Sequence, residues 1–135
     1  MARIALAQIA VSPMQPSRNV ETIIREMELA RHNNVDLVVF PEMSVSGYLI
    51  SDLYEDESFV RDVVGYNDDI IAASKGLAVA FGSLTIDDKK VNRDGRIRKY
   101  NSAIIAQNGE LKGIVHKSLL PTYRFFDDQR YFHPF

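Results

Sequence analysis

The sequence contains no cysteine. This excludes a disulfide framework and a zinc–thiolate site, and it leaves these residues without a thiolate nucleophile. Charge of either sign is also scarce in net terms. The 16 basic and 18 acidic side chains leave a formal −2, too little to mark a surface for nucleic acid or anionic membrane. No apolar run approaches the ~20 residues needed to cross a bilayer. Met1-Ala2-Arg3-Ile4 leads straight into a strand-like run, without a signal-peptide hydrophobic region. A cytoplasmic protein with no nucleic-acid or membrane partner is the expectation. There is no Gly-rich phosphate loop and no His-x-x-x-His pair, so no metal and no cofactor is expected within these residues.

What is present is an ordinary globular mixture, 46% hydrophobic and 25% charged over 135 residues, enough for one domain with a real core. No repeat or linker divides it, so residues 1–135 are treated as one unit. Ile4 to Val11 is short, β-branched and nearly all apolar, the pattern of a strand buried on both faces. Pro13 and Pro16 interrupt it. Val20, Ile23, Ile24, Met27 and Ala30 then recur at helical spacing, with Ser17 or Asn19 available as N-cap. Leu37-Val38-Val39-Phe40 is a second buried strand, stopped by Pro41. Strand, helix and strand with short connections favour parallel pairing and an α/β class. Glu57 to Lys75 carries a weaker helical pattern that Gly65 is expected to split. Leu77 to Leu84 reads as a third strand, and the polar stretch from Asp87 to Arg98 as a solvated hairpin or loop. Tyr100 to Gln107 and Leu111 to Val115 flank Asn108-Gly109, a type I′ hairpin signal. Ser118 to Phe135 has no clean period.

Two charged residues stand where chemistry is usually placed. Glu42 follows a buried strand directly, at the carboxyl end where open α/β sheets bind ligands, and suits a general base. The alternative is a strand-end carboxylate that faces water or caps the next turn. Lys117 also ends a strand, and its ammonium could stabilise a developing oxyanion; the alternative is a plain surface lysine. If the two strands are neighbours, the charges meet above the sheet edge. His116 reads as structural, because no Ser–His–Asp set accompanies it. Tyr123, Phe125, Phe126, Tyr131 and Phe132 divide between core and site. Asp52, Glu55, Asp56 and Glu57 lack the spacing of a calcium loop and fit a solvated helix start.

Taken in order, these segments resemble the nitrilase, or carbon–nitrogen hydrolase, superfamily. The resemblance runs from Ile4-Ala5-Leu6-Ala7-Gln8 through Asp36-Leu37-Val38-Val39-Phe40-Pro41-Glu42 and Tyr100-Asn101-Ser102-Ala103 to Lys117-Ser118-Leu119-Leu120-Pro121. It covers nearly the whole chain. Ser46-Gly47-Tyr48 with Ser51-Asp52-Leu53 is similar to the Gly-Tyr-x-x-x-Asp-Leu run of the glutaminase domains of glutamine-dependent NAD synthetases. Leu120-Pro121-Thr122-Tyr123, Phe126-Asp127 and Arg130-Tyr131-Phe132 resemble the corresponding later loop. Leu49 stands where that group often has proline, and Asp128 where many members have glutamate.

The resemblance implies the N-terminal part of an α-β-β-α sandwich working through a Glu–Lys–Cys triad. By position, Glu42 is then the general base, Lys117 stabilises the tetrahedral intermediate, and Tyr123 helps line the pocket for glutamine or another small amide. It further implies a homo-oligomer, and ATP and magnesium in a separate synthetase domain. With no cysteine up to Phe135, a fragment or truncated product is expected, inactive alone, with an apolar sheet face and edge prone to self-association. The alternatives are a generic amidase or carbamoylase, and a non-catalytic α/β binding module.

Overall fold

A computed structural model describes all 135 residues. The order of elements is β1 (Ile4–Leu6), α1 (Pro16–His32), β2 (Leu37–Val39), a 3-10 turn (Ser51–Glu55), α2 (Glu57–Ala73), β3 (Ala78–Val91), β4 (Ile97–Gln107), β5 (Glu110–His116) and the short α3 (Asp128–Tyr131). The strands form one sheet in sequential order. β1, β2 and β3 run parallel, and β3–β4–β5 is an antiparallel meander. The α/β class read from the sequence is the one observed.

Side-chain alternation divides the sheet into two unlike faces. Val38, Val79, Phe81 and Ile104 point toward α1 and α2. There they join Ile23 and Met27 of α1 and Val63 and Ile70 of α2 in a single buried cluster. Each such side chain contributes about 1.5–3 kcal/mol when fully removed from water. On the opposite face the register aligns Leu6, Val39, Ala80 and Ile105, and no helix covers them. Leu6 is 72% exposed at the end of that row.

The first strand therefore differs from its expected form. It is only Ile4–Leu6, with Ile4 and Leu6 exposed and Ala5 alone half-buried. The run is apolar on both faces, but the two helices cover only one. Helix α1 takes Pro16 in its first turn and uses no side-chain cap. Asn19 turns inward instead: its amide donates to the carbonyls of Ser12 and Val45, and its Oδ1 accepts from the Ser12 N–H. Gly65 does not split α2, which continues to Ala73. Its position faces solvent, while Val60, Val63, Asn67 and Ile70 keep one continuous buried face. Asp56 caps α2 by accepting from Phe59 N–H at 3.0 Å, so one member of the acidic cluster does begin a helix. Asn108 and Gly109 take φ of 56° and 80°, as a type I′ turn requires. The polar stretch before them forms the distal arms of the β3–β4 hairpin.

Two glycines should respond oppositely to alanine. Gly65→Ala meets nothing within 4 Å and is expected to stabilise the protein by up to about 1 kcal/mol. At Gly82 a Cβ would lie 2.6 Å from Glu42 Cα, Met43 N and Pro41 O, so Gly82→Ala is expected to cost about 1–3 kcal/mol. Chemical denaturation of both variants measures this, and equal midpoints would contradict it.

Candidate functional site

Glu42 and Lys117 do not end neighbouring strands, since β3 and β4 lie between β2 and β5. They meet all the same, because of the way the chain leaves β2. Phe40 N–H still donates to Ala80 O at 2.8 Å. Pro41 has no N–H to continue the ladder, and the chain turns over β3 at Gly82, where backbone rests on backbone. Met43 completes the turn with φ of 50°, a left-handed conformation that costs a non-glycine residue about 1–3 kcal/mol. Ser44 Oγ donates to Gly82 O, and Tyr54 Oη to Gly47 O. The segment after Glu42 is thus fixed at both ends.

From the other side, Lys117 extends the β5 ladder by donating its N–H to Asn101 O at 2.8 Å. Its Nζ reaches Glu42 Oε1 at 2.7 Å and lies 3.4 Å from Asp128 Oδ2. Asn101 Nδ2 donates to the same Glu42 Oε1 at 2.6 Å. Tyr48 donates its hydroxyl to Asp128 Oδ1 at 2.6 Å, and its ring lies 5.7 Å from the lysine nitrogen. Asp128 itself is buried. Burial alone draws the Lys117 ammonium down, but the hydrogen bond and charge of Glu42 and the nearby Asp128 carboxylate outweigh it, leaving it above its ordinary pKa. Burial, then the bond to Asp128, hold Tyr48 far above the usual phenol range, so it remains a donor.

Two clefts adjoin this cluster. One, of about 400 Å³, runs over the open sheet face and is lined by Glu42, Asn101, Ser102, His116 and Lys117 with Val39, Ala80 and Ala103. The other, of about 420 Å³, is walled by Tyr48, Tyr54, Phe126 and Tyr131 and shares Asp128 with the cluster. Tyr123 lines neither cleft. It is 62% exposed and packs edge-on against Phe126. Of the three sequence-derived candidates, the structure brings two together and leaves the third outside.

Three members of the cluster received no role from the residue pattern: Asn101, Asp128 and Tyr48. Asn101 did carry a signal, because an amide inside a strand of Tyr, Ala and Ile needs a buried partner. His116 stacks on Tyr100 with ring centroids 4.3 Å apart, and its Nδ1 lies 2.8 Å from Ser102 Oγ. The other three members of the acidic cluster are paired: Asp52 with Arg130, Glu55 with Lys99 and Glu57 with Arg61.

The carbon–nitrogen hydrolase family model matches residues 3–132. Glutamine-dependent NAD(+) synthetases of Synechocystis sp. and Thermotoga maritima are 32% and 31% identical to the chain over 133 and 134 residues. Each match takes in 98% of this chain and only 24% or 22% of the relative. The chain thus spans about a quarter of the length of these curated relatives. Among solved structures, a glutamine-dependent NAD(+) synthetase from Cytophaga hutchinsonii superposes with a TM-score of 0.86 at 24% identity, over 98% of this chain and 22% of that one. An amidase from Nesterenkonia sp. gives 0.80 at 21% identity, over 98% and 48%. At these identities the superpositions establish a shared fold.

His116 yields a pH prediction. Burial keeps its imidazole below the ordinary value, so on acidification the unfolded chain takes up the proton first. Stability is therefore lost as pH falls below the unfolded histidine range, near about 6.5. The loss levels off once the folded imidazole is protonated as well. In thermal unfolding at pH 7.5 and pH 5, wild type should lose ground relative to His116→Gln. A constant gap between the two proteins would refute this.

Proposed function

The chain belongs to the carbon–nitrogen hydrolase family, and from that premise we propose that Glu42 and Lys117 serve a Glu–Lys–Cys amidase site that hydrolyses glutamine to supply ammonia for NAD synthesis. The observation that carries this reading is the 2.7 Å contact between Lys117 Nζ and Glu42 Oε1, beside a cleft open to small molecules. The glutamine-dependent NAD(+) synthetases aligned over 98% of the chain support the choice of amide.

In the proposed chemistry Glu42 accepts the proton of a cysteine thiol, and the sulfur attacks the amide carbon of glutamine. The Lys117 ammonium, held charged by its two carboxylate neighbours, stabilises the oxyanion of the tetrahedral intermediate. Glu42 returns the proton to the leaving nitrogen, ammonia departs, and the regenerated carboxylate activates water to hydrolyse the thioester. The 135 residues include no cysteine, so the thiol comes from outside them, and alone they have no covalent route. ATP and magnesium belong, in this reading, to a synthetase domain. The residues described here do not fit them: no three His, Cys, Asp or Glu side chains are grouped to hold a metal ion. The cytoplasm is the proposed location; no helix is long and apolar enough to cross a membrane.

The test is glutamine-dependent NAD formation by the full-length protein carrying these residues. Glu42→Gln and Lys117→Met are each expected to lower it by about 100-fold or more, while NAD formation from free ammonia persists. Hydrolysis of other amides without any ATP-dependent product would favour a generic amidase. A folded protein inert in both assays would favour the non-catalytic module.

A further inference from the structure

The two oxygens of Glu42 are not equivalent. Oε1 receives Asn101 Nδ2 at 2.6 Å and Lys117 Nζ at 2.7 Å, whereas Oε2 takes no hydrogen bond from the chain. Asn101 is 3% exposed, on β4, and pairs with Leu84 of β3. Its own carbonyl accepts the Lys117 N–H at 2.8 Å. One residue therefore holds the carboxylate through its side chain and the lysine through its main chain.

The chemistry of the amide suits this task. It donates but does not titrate, so the donor is present at every working pH. A buried amide costs free energy unless it is satisfied, and an apolar residue would pack this strand as well. A short bond from an amide N–H to a carboxylate is among the stronger kinds. It also fixes the rotation of the carboxylate plane, which one flexible ammonium cannot do.

We propose that Asn101 is a positioning residue for Glu42, fixing Oε1 as the hydrogen-bonded oxygen and leaving Oε2 as the proton acceptor. This rests on the reading of Glu42 as the base. A proton leaving a nucleophile lands on Oε2. Glu42 becomes a neutral carboxylic acid, its Oε1 keeps both donors as a carbonyl oxygen, and the nucleophile carries the negative charge. Without Asn101 the carboxylate is free to rotate and present either oxygen, and its charged form loses a donor.

The test uses the full-length protein with Asn101→Leu and Asn101→Asp, the second keeping the size and shape of the side chain. In glutamine hydrolysis from pH 5 to pH 9, Asn101→Leu is expected to lower kcat by about 10- to 100-fold with KM little changed. The acidic limb of the profile should move up, because the charged form of the base loses a donor. Asn101→Asp should move it further, because it sets a second carboxylate against Oε1. If either folded variant keeps the wild-type limb, or changes only KM, the proposal is overturned. If the wild type does not hydrolyse glutamine, the amidase reading fails by itself. Asn101 is then judged by carbon-13 NMR of the Glu42 carboxyl against pH. An upward move of its midpoint in the variants supports the positioning role, and an unmoved midpoint removes it.

Discussion

The candidate site depends on one steric fact, the contact of the backbone from Pro41 to Met43 with β3 at Gly82. β2 and β5 are separated by two strands, so a straight exit from β2 would leave Glu42 out of reach of Lys117. The chain instead folds flat across β3, as close as a residue without a side chain permits. The rest follows from that contact. Met43 takes its left-handed conformation to complete the turn, Ser44 ties back to the Gly82 carbonyl, and Asn19 braces Val45 from the start of α1. The cost of that backbone, about 1–3 kcal/mol, is small beside the burial of Val38, Val79 and Phe81 directly below.

The same comparison shows that the ion pair is not there for stability. Side chains of Glu42 and Lys117 remain 49% and 29% exposed, and partly exposed pairs contribute only about 0.2–1 kcal/mol. One buried valine of the helix-facing layer outweighs that. Asp128 is a different case. Its carboxylate is enclosed, with the Tyr48 hydroxyl and the Lys117 ammonium as its donors. A buried charge stripped of its partner costs several kcal/mol. Lys117 is thus held by a stability requirement on its Asp128 side and is available for chemistry on its Glu42 side. A lysine shared in this way resists being drawn off by solvent or by a neutral substrate.

The local rules were legible in the sequence, and the long-range ones were not. Helical spacing located α1, a short apolar run located β2, and Asn108-Gly109 located a hairpin, because each depends on residues close together in the chain. Strand order depends on none of them. Nothing in the residues around Glu42 or Lys117 says that two strands intervene, nor that Gly82 is the point of crossing. Burial of Ile4–Val11 was misjudged for a related reason: an apolar side chain does not reveal whether a partner layer covers it. Gly65 was overweighted because propensity of about 1 kcal/mol was set against nothing, whereas the apolar face of α2 supplies several times that. Asn101 illustrates the limit. Its polarity within a strand calls for a partner, but the partner is 59 residues away, across a sheet whose order must be known first.

The geometry of the faces also constrains how chemistry can begin. The helix-facing side is filled by core, so nothing can approach Glu42 from there. The cleft that exposes Glu42, Asn101 and Lys117 opens onto the other face, along Val39, Ala80 and Ala103. On the proposed reading, a nucleophile and a substrate reach the pair across apolar surface, and any group that brings them also displaces water from it. Removing that water lowers the local dielectric and strengthens every charge interaction in the cluster. In the proposed amidase chemistry the lysine's pull on a developing oxyanion then grows, and so does the cost of leaving Asp128 without a partner. Under that proposal, covering the face and activating the site are one physical event.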